Sequence, residues 1–217
     1  MAKRACVVGI VACVAVLVPA AADGSTQLAS NPAGDQVLVY QVRVQRARAL
    51  YASVRERRGE FGPLRVIAQP PGVFEPSAFI DDAGGDLVAV ARNFGPGSAD
   101  LAVRDMRDPE SGINRTAELV QEGAKHTTGG LMVAARLRRN GAVAWIACPS
   151  SGRPGQTFAR CRRVGGMTKL LYAWHAAPGS KPRLLDRGSS IRPGSLRLRG
   201  SALSWRHGRR VGHARLR

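Results

Sequence analysis

The chain has 217 residues and 23.1 kDa, a length that suits one domain and allows two small ones. Hydrophobic residues make up 44% and exclude wholesale disorder, while 25 Gly and 13 Pro punctuate the chain more densely than a helix bundle needs. The 33 Lys+Arg against 15 Asp+Glu give a formal net charge of +18, and aromatics are only 5%.

The N-terminus reads as a secretory signal peptide over residues 1–22. Lys3-Arg4 form a basic n-region, Ala5 to Val18 an apolar run, and Ala20-Ala21-Ala22 a small-residue cleavage site before Asp23. An uncleaved anchor stays open as an alternative, although residues 5–22 are barely long enough to span a bilayer. Ile10-Val11-Ala12-Cys13 has a superficial likeness to a lipobox, but the apolar run continues past Cys13, where a lipobox would end. The expected location is secreted or cell-envelope associated, with no membrane span after signal cleavage. The mature chain would keep 195 residues, a net charge of +16 and two cysteines, Cys148 and Cys161. An even pair in an exported chain reads as a disulfide and not as a metal site. His126, His175, His207 and His213 show no ligand-pair spacing, so neither a metal nor a cofactor is expected.

Residues 23–36 read as a flexible start, and residues 37–217 as a single all-β domain. Short apolar/polar alternations mark the strands. Val37–Val44 is the clearest, followed by Ala49–Val54, with turns at Gly84-Gly85, Gly95-Pro96-Gly97, Asn140-Gly141, Pro178-Gly179 and Pro193-Gly194. Residues 113–122 form the only plausible helical stretch. A degenerate repeat couples a glycine turn to an outgoing strand at Gly84–Arg92, Asn140–Cys148 and Arg199–Trp205, and Met167–Trp174 adds a fourth strand ending in an aromatic. Trp145, Trp174 and Trp205 are expected to bury their rings and tie each indole N–H to a carbonyl.

The module from Trp145-Ile146-Ala147-Cys148 through a Pro/Gly/Ser-rich loop to Cys161-Arg162-Arg163-Val164 resembles the Cys-bridged hairpins of exported β-propeller-like proteins of high-GC bacteria. The ending, with Leu184–Gly188, Ile191–Leu196, Gly200–Trp205 and Ala214-Arg215-Leu216, is similar to the C-terminal blade of that group. The resemblance covers residues 131–217 well and 37–105 loosely, and it implies a fold without an assigned activity. At about 40–45 residues per blade it implies four to five short antiparallel blades, closed or partly open. A β-sandwich is the alternative.

No catalytic constellation stands out. Asp81-Asp82-Ala83-Gly84-Gly85-Asp86 has the wrong spacing for a calcium loop and reads as a hairpin turn. There is no Gly-x-Ser-x-Gly elbow, and Asp186 is the only acid after residue 122, so an acid–base pair in the C-terminal half must join Asp186 to a histidine. Glu56, Glu60 and Glu75 offer glycosidase carboxylates, but nothing singles one out.

Charge is the sharpest departure from a bland chain. Residues 60–122 hold 5 basic and 11 acidic groups, whereas residues 123–217 hold 20 basic groups and one acid. That asymmetry suggests an anionic partner. Equally, 29 of the 33 cations are arginine, which a GC-rich codon supply produces without a binding role. Nucleic-acid motifs and basic–aromatic interleaving are absent, so no specific nucleic acid is expected. The candidate anion-binding residues are Arg197, Arg199, Arg206, Arg209 and Arg210. Alternation places Arg197 and Arg199 on one strand face with Leu196 and Leu198 inward, and it clusters Arg206, Arg209 and Arg210 at the neighbouring hairpin tip. The expected protein is a monomeric, non-enzymatic binding or structural module for anionic envelope polymers. The alternative is a cell-envelope enzyme such as a glycan hydrolase on a propeller scaffold.

Overall fold

The computed structural model describes residues 26–30, 36–44, 47–55, 65–68, 83–84, 87–95, 98–105, 114–119, 130–150, 154–175 and 177–217. The residues read as a signal peptide lie outside this set. The described residues are all-β apart from one short helix, and their strands form four small antiparallel sheets. The first sheet runs β1 (Thr26–Ser30), β2 (Gln36–Val44), β3 (Ala47–Arg55) and β4 (Arg65–Ala68). The second runs β5 (Ala83–Gly84), β6 (Leu87–Gly95), β7 (Ser98–Asp105) and β8 (Asn114–Glu118). The third runs β9 (Gly130–Leu137), β10 (Val143–Pro149), β11 (Lys169–Trp174) and β12 (Arg183–Gly188). The last has three strands, β13 (Ile191–Arg199), β14 (Ala202–His207) and β15 (Arg210–Arg215). Each strand bonds to its neighbour in sequence, so every sheet is a meander.

Two sequence expectations need correction here. Thr26–Ser30 pairs with β2 from Thr26↔Tyr40 to Ser30↔Gln36, so part of the segment read as a flexible start is an edge strand. Residues 114–118, read as helical, form β8. Ala117 and Leu119 are buried while Thr116 and Glu118 are exposed, a period of two that β7 fixes through Leu101↔Ala117 and Val103↔Arg115. The helix lies elsewhere, in the single turn α1 (Phe158–Arg162), whose N-cap Thr157 accepts from the backbone N–H of Arg160 at 3.2 Å. Five residues are too few to register as a helical period.

The third sheet sits between its neighbours. Every residue of β11 and all of β10 except the half-buried Pro149 are buried, which explains why they read as near-continuous apolar runs. One face carries Met132, Trp145, Leu170, Tyr172 and Trp174 against Leu101, Val103 and Leu119 of the second sheet and its exit. The other carries Ile146 and Leu171 against Ile191, Leu196, Leu203 and Trp205 of the last sheet. Burying each of the large side chains stabilises by about 1.5–3 kcal/mol relative to exposure. Alanines at 134, 135, 144, 147 and 173 keep the layers close. Trp145 stacks on Tyr172 with ring centroids 5.4 Å apart and donates its indole N–H to the carbonyl of Leu119 at 2.9 Å.

The β9–β10 turn follows its sequence signal. Gly141 holds φ at 82°, and Asn140 accepts from the N–H of Ala142 through Oδ1 at 3.2 Å. Cys148 and Cys161 form the expected disulfide, with Cα atoms 5.9 Å apart. The bridge ties the end of β10 to α1 and not to a second strand, so the expected Cys-bridged hairpin is a strand–helix clasp. Inside the same layer, Lys169 is buried and its Nζ donates to the carbonyls of Arg163, Met167 and Ser189 at 3.0, 3.2 and 2.9 Å. Burial pushes its pKa below the usual 10.5.

Candidate functional site

The last sheet separates an apolar face from a basic one. Along β14, Leu203 and Trp205 are buried, while Ser204 and Arg206 lie on the other side. Cross-strand partners share a face, so the pairs Arg192↔Arg206, Arg197↔Ser204, Arg199↔Ala202, Ser204↔His213 and Ala202↔Arg215 assemble one outer surface. It carries five arginines and a histidine, all exposed except His213's neighbour Ser204, which is half-buried. Among the described residues, none of these arginines is paired with a carboxylate.

A bulge shapes this face. Four residues of β13, Pro193 to Leu196, oppose the single residue Trp205 between the Arg192↔Arg206 and Arg197↔Ser204 pairs. Pro193 has no N–H to give the ladder, and Ser195 repairs the gap. Its hydroxyl donates to the carbonyl of Arg192 at 2.7 Å and accepts from the N–H of Arg206 at 2.8 Å. The result is an open groove of about 580 Å³ with Arg192, Arg197 and Arg206 around Ser195 and Ser204. Arg197 donates one Nη1 N–H to the carbonyl of Leu196 at 3.0 Å, and guanidinium forks of the kind that line the groove suit phosphate or carboxylate oxygens.

Of the residues singled out by sequence, Arg197, Arg199 and Arg206 share the outer face, and Leu196 and Leu198 turn inward as expected. The tip cluster does not form as described. Arg206 belongs to the outer face, Arg210 pairs with His207 on the opposite one, and Arg209 sits in the turn beside Gly208. Arg192 and Arg215 were missed. The bulge hides Arg192 by breaking the two-residue alternation that connects it to Arg197, and Arg215 joins the face only through its partner Ala202.

The acid–base pair that the sequence allowed also exists. Asp186 accepts from Nδ1 of His207 at 3.0 Å, and it accepts from the indole N–H of Trp205 and the backbone N–H of Arg187 as well, at 2.5 and 2.7 Å. The indole bond replaces the backbone carbonyl expected for Trp205. An imidazole anchored through Nδ1 to a carboxylate is half of a general-base arrangement. The other nitrogen, however, packs against Gly188, where an added Cβ would meet Nε2 at 2.5 Å. Among the described residues, no hydroxyl or thiol bonds to it.

Nor do the described residues contain a group of three or more His, Cys, Asp or Glu side chains able to hold a metal ion. Most of the Asp81–Asp86 cluster lies outside them, as do Glu56, Glu60, Glu75 and His126. Among the described residues no helix is long and apolar enough to cross a membrane. No protein-family model matches the chain, and no curated protein is significantly similar to it.

Proposed function

We propose that this is an exported, non-enzymatic binding module that holds anionic polymers of the cell envelope on the outer face of its last sheet. The observation that carries this reading is the concentration of Arg192, Arg197, Arg199, Arg206 and Arg215 on one sheet face, with the only acid of the C-terminal half turned to the other side of the same sheet. Successive meanders packed face to face support an open, propeller-like stack of blades as the scaffold. Binding by exposed guanidinium groups is electrostatic, so it weakens as salt shortens the screening length to about 3 Å at 1 M.

The test is retention of the mature protein on purified cell walls. Wild type is expected to bind at low salt, to elute at high salt, and to lose retention when Arg192, Arg197 and Arg206 become serine. Equal elution of wild type and the folded triple variant at low salt overturns the reading. The Asp186–His207 pair favours a second reading, a glycan hydrolase. Release of reducing ends from wall glycans by wild type but not by a folded Asp186→Asn variant would establish it, against the packing of Nε2 on Gly188.

A further inference from the structure

A second basic concavity lies apart from the bulge groove, where the ends of β11 and β15 meet the start of β12. It is an open groove of about 600 Å³. Ala173, Trp174 and Leu216 give it an apolar wall, and Lys181, Arg183, Arg215 and Arg217 supply four cations. Among the described residues no carboxylate pairs with any of the four.

The walls are held before any ligand arrives. The indole N–H of Trp174 donates to both the carbonyl and the hydroxyl oxygen of Ser180, at 3.1 and 2.9 Å. Ser180 in turn accepts from the N–H of Ala177 at 3.1 Å and donates to its carbonyl at 2.7 Å, which pins the turn that leads into Lys181. On the opposite wall, three separate elements grip the segment after β15. Leu216 donates its N–H to Ser201 at 2.9 Å and accepts from the guanidinium of Arg138 at 2.7 Å, and the backbone oxygen of Arg217 accepts from Nδ1 of His175 at 2.7 Å. A groove fixed in this way loses little ordering entropy when it is filled.

We propose that this groove is a binding site for a phosphomonoester carried on a small polyol or sugar. A phosphomonoester brings a charge of about −1.5 to −2 and three acceptor oxygens, which matches a groove lined by four cations better than a carboxylate with one charge and two oxygens does. The groove is also far roomier than the phosphate alone requires, and its apolar wall at Ala173, Trp174 and Leu216 lies where the carrier would rest. The site shares no residue with the groove at Arg192, Arg197 and Arg206, and of its cations Arg215 alone also belongs to the outer face assigned to the polymer.

Isothermal titration of the mature protein at low ionic strength tests the proposal, with glycerol phosphate as probe and glycerol and acetate as controls. The expected result is saturable binding of glycerol phosphate, at least tenfold weaker binding of acetate and none of glycerol. Arg183→Ser combined with Arg217→Ser should weaken glycerol phosphate binding at least tenfold, and so should Lys181→Glu, which changes an exposed residue beyond the turn and guards against a folding defect. Arg197→Ser with Arg206→Ser should leave it unchanged. Absence of glycerol phosphate binding, equal affinity for acetate, or unaltered affinity in both groove variants overturns the proposal. Wall retention measured on the same variants keeps this outcome separate from that of the polymer site.

Discussion

Trp205 donates its indole N–H to the carboxylate of Asp186 at 2.5 Å, across the boundary between the last sheet and the outer strand of the third. The single acid of a strongly basic half is thus engaged in joining two layers. Asp186→Ala removes the acceptor from a buried indole and from His207 at once. It should lower unfolding free energy by about 1.5–3 kcal/mol, the usual range for a hydrogen bond to a charged group. Asp186→Asn keeps an oxygen for the indole and should cost less. Urea denaturation of the two variants and wild type checks the order.

Gly212 pairs with Trp205 across β14 and β15, and a Cβ built there would run into the indole ring. Gly212→Ala should therefore force the ring from its place and cost about 1–3 kcal/mol, as overpacking does. Thermal melts read the loss. Gly194→Ala, where nothing lies within 4 Å of the new Cβ, is the matched control and should change little.

The Cys148–Cys161 bridge closes a loop with a sequence separation of 13. In the chain-entropy model, cross-linking a loop of this size stabilises by about 3 kcal/mol. Cys148→Ser with Cys161→Ser should lower the denaturation midpoint accordingly, and reductant should do so in wild type but not in the double variant. Mass spectrometry of the oxidised mature protein should find no free thiol.

Lys169→Met leaves the carbonyls of Arg163, Met167 and Ser189 without their shared donor and should destabilise by about 1–3 kcal/mol. The pH dependence has a definite sign. The folded-state pKa is lowered by burial, so between that value and 10.5 the unfolded chain binds more protons than the folded one. Within that window the lysine's contribution to stability rises with pH. The stability difference between wild type and Lys169→Met should therefore widen as pH climbs towards 10.5, as followed by denaturant titration at several alkaline pH values.

Much of the strand pattern was legible because alternation and turn chemistry are local. Val37–Val44 became β2 with one more residue, Asn140-Gly141 became a turn, and Leu196 and Leu198 faced inward as their spacing requires. The disulfide was legible from cysteine arithmetic alone. What failed had non-local causes. Residues 114–118 are a strand because β7 pairs with them, not because of any strong propensity of Asn-Arg-Thr-Ala-Glu. Arg192 was hidden by a bulge whose four extra-ladder residues carry no fixed alternation. The groove at Lys181 and Arg183 joins residues more than 30 positions from Arg215, and only the packing of the last two sheets brings them together.

The meander topology has a kinetic consequence. Since every ladder among the described residues joins strands adjacent in sequence, pairing within a sheet closes only short loops, and each meander can form soon after its last strand has been synthesised. The long-range cost is confined to docking one finished sheet on the next through side chains. The third sheet has apolar residues on both faces, so it stays sticky until residues 191–217 arrive to cover Ile146 and Leu171. A chain halted before Ile191 should consequently self-associate, whereas a chain released at full length buries that surface within its own fold.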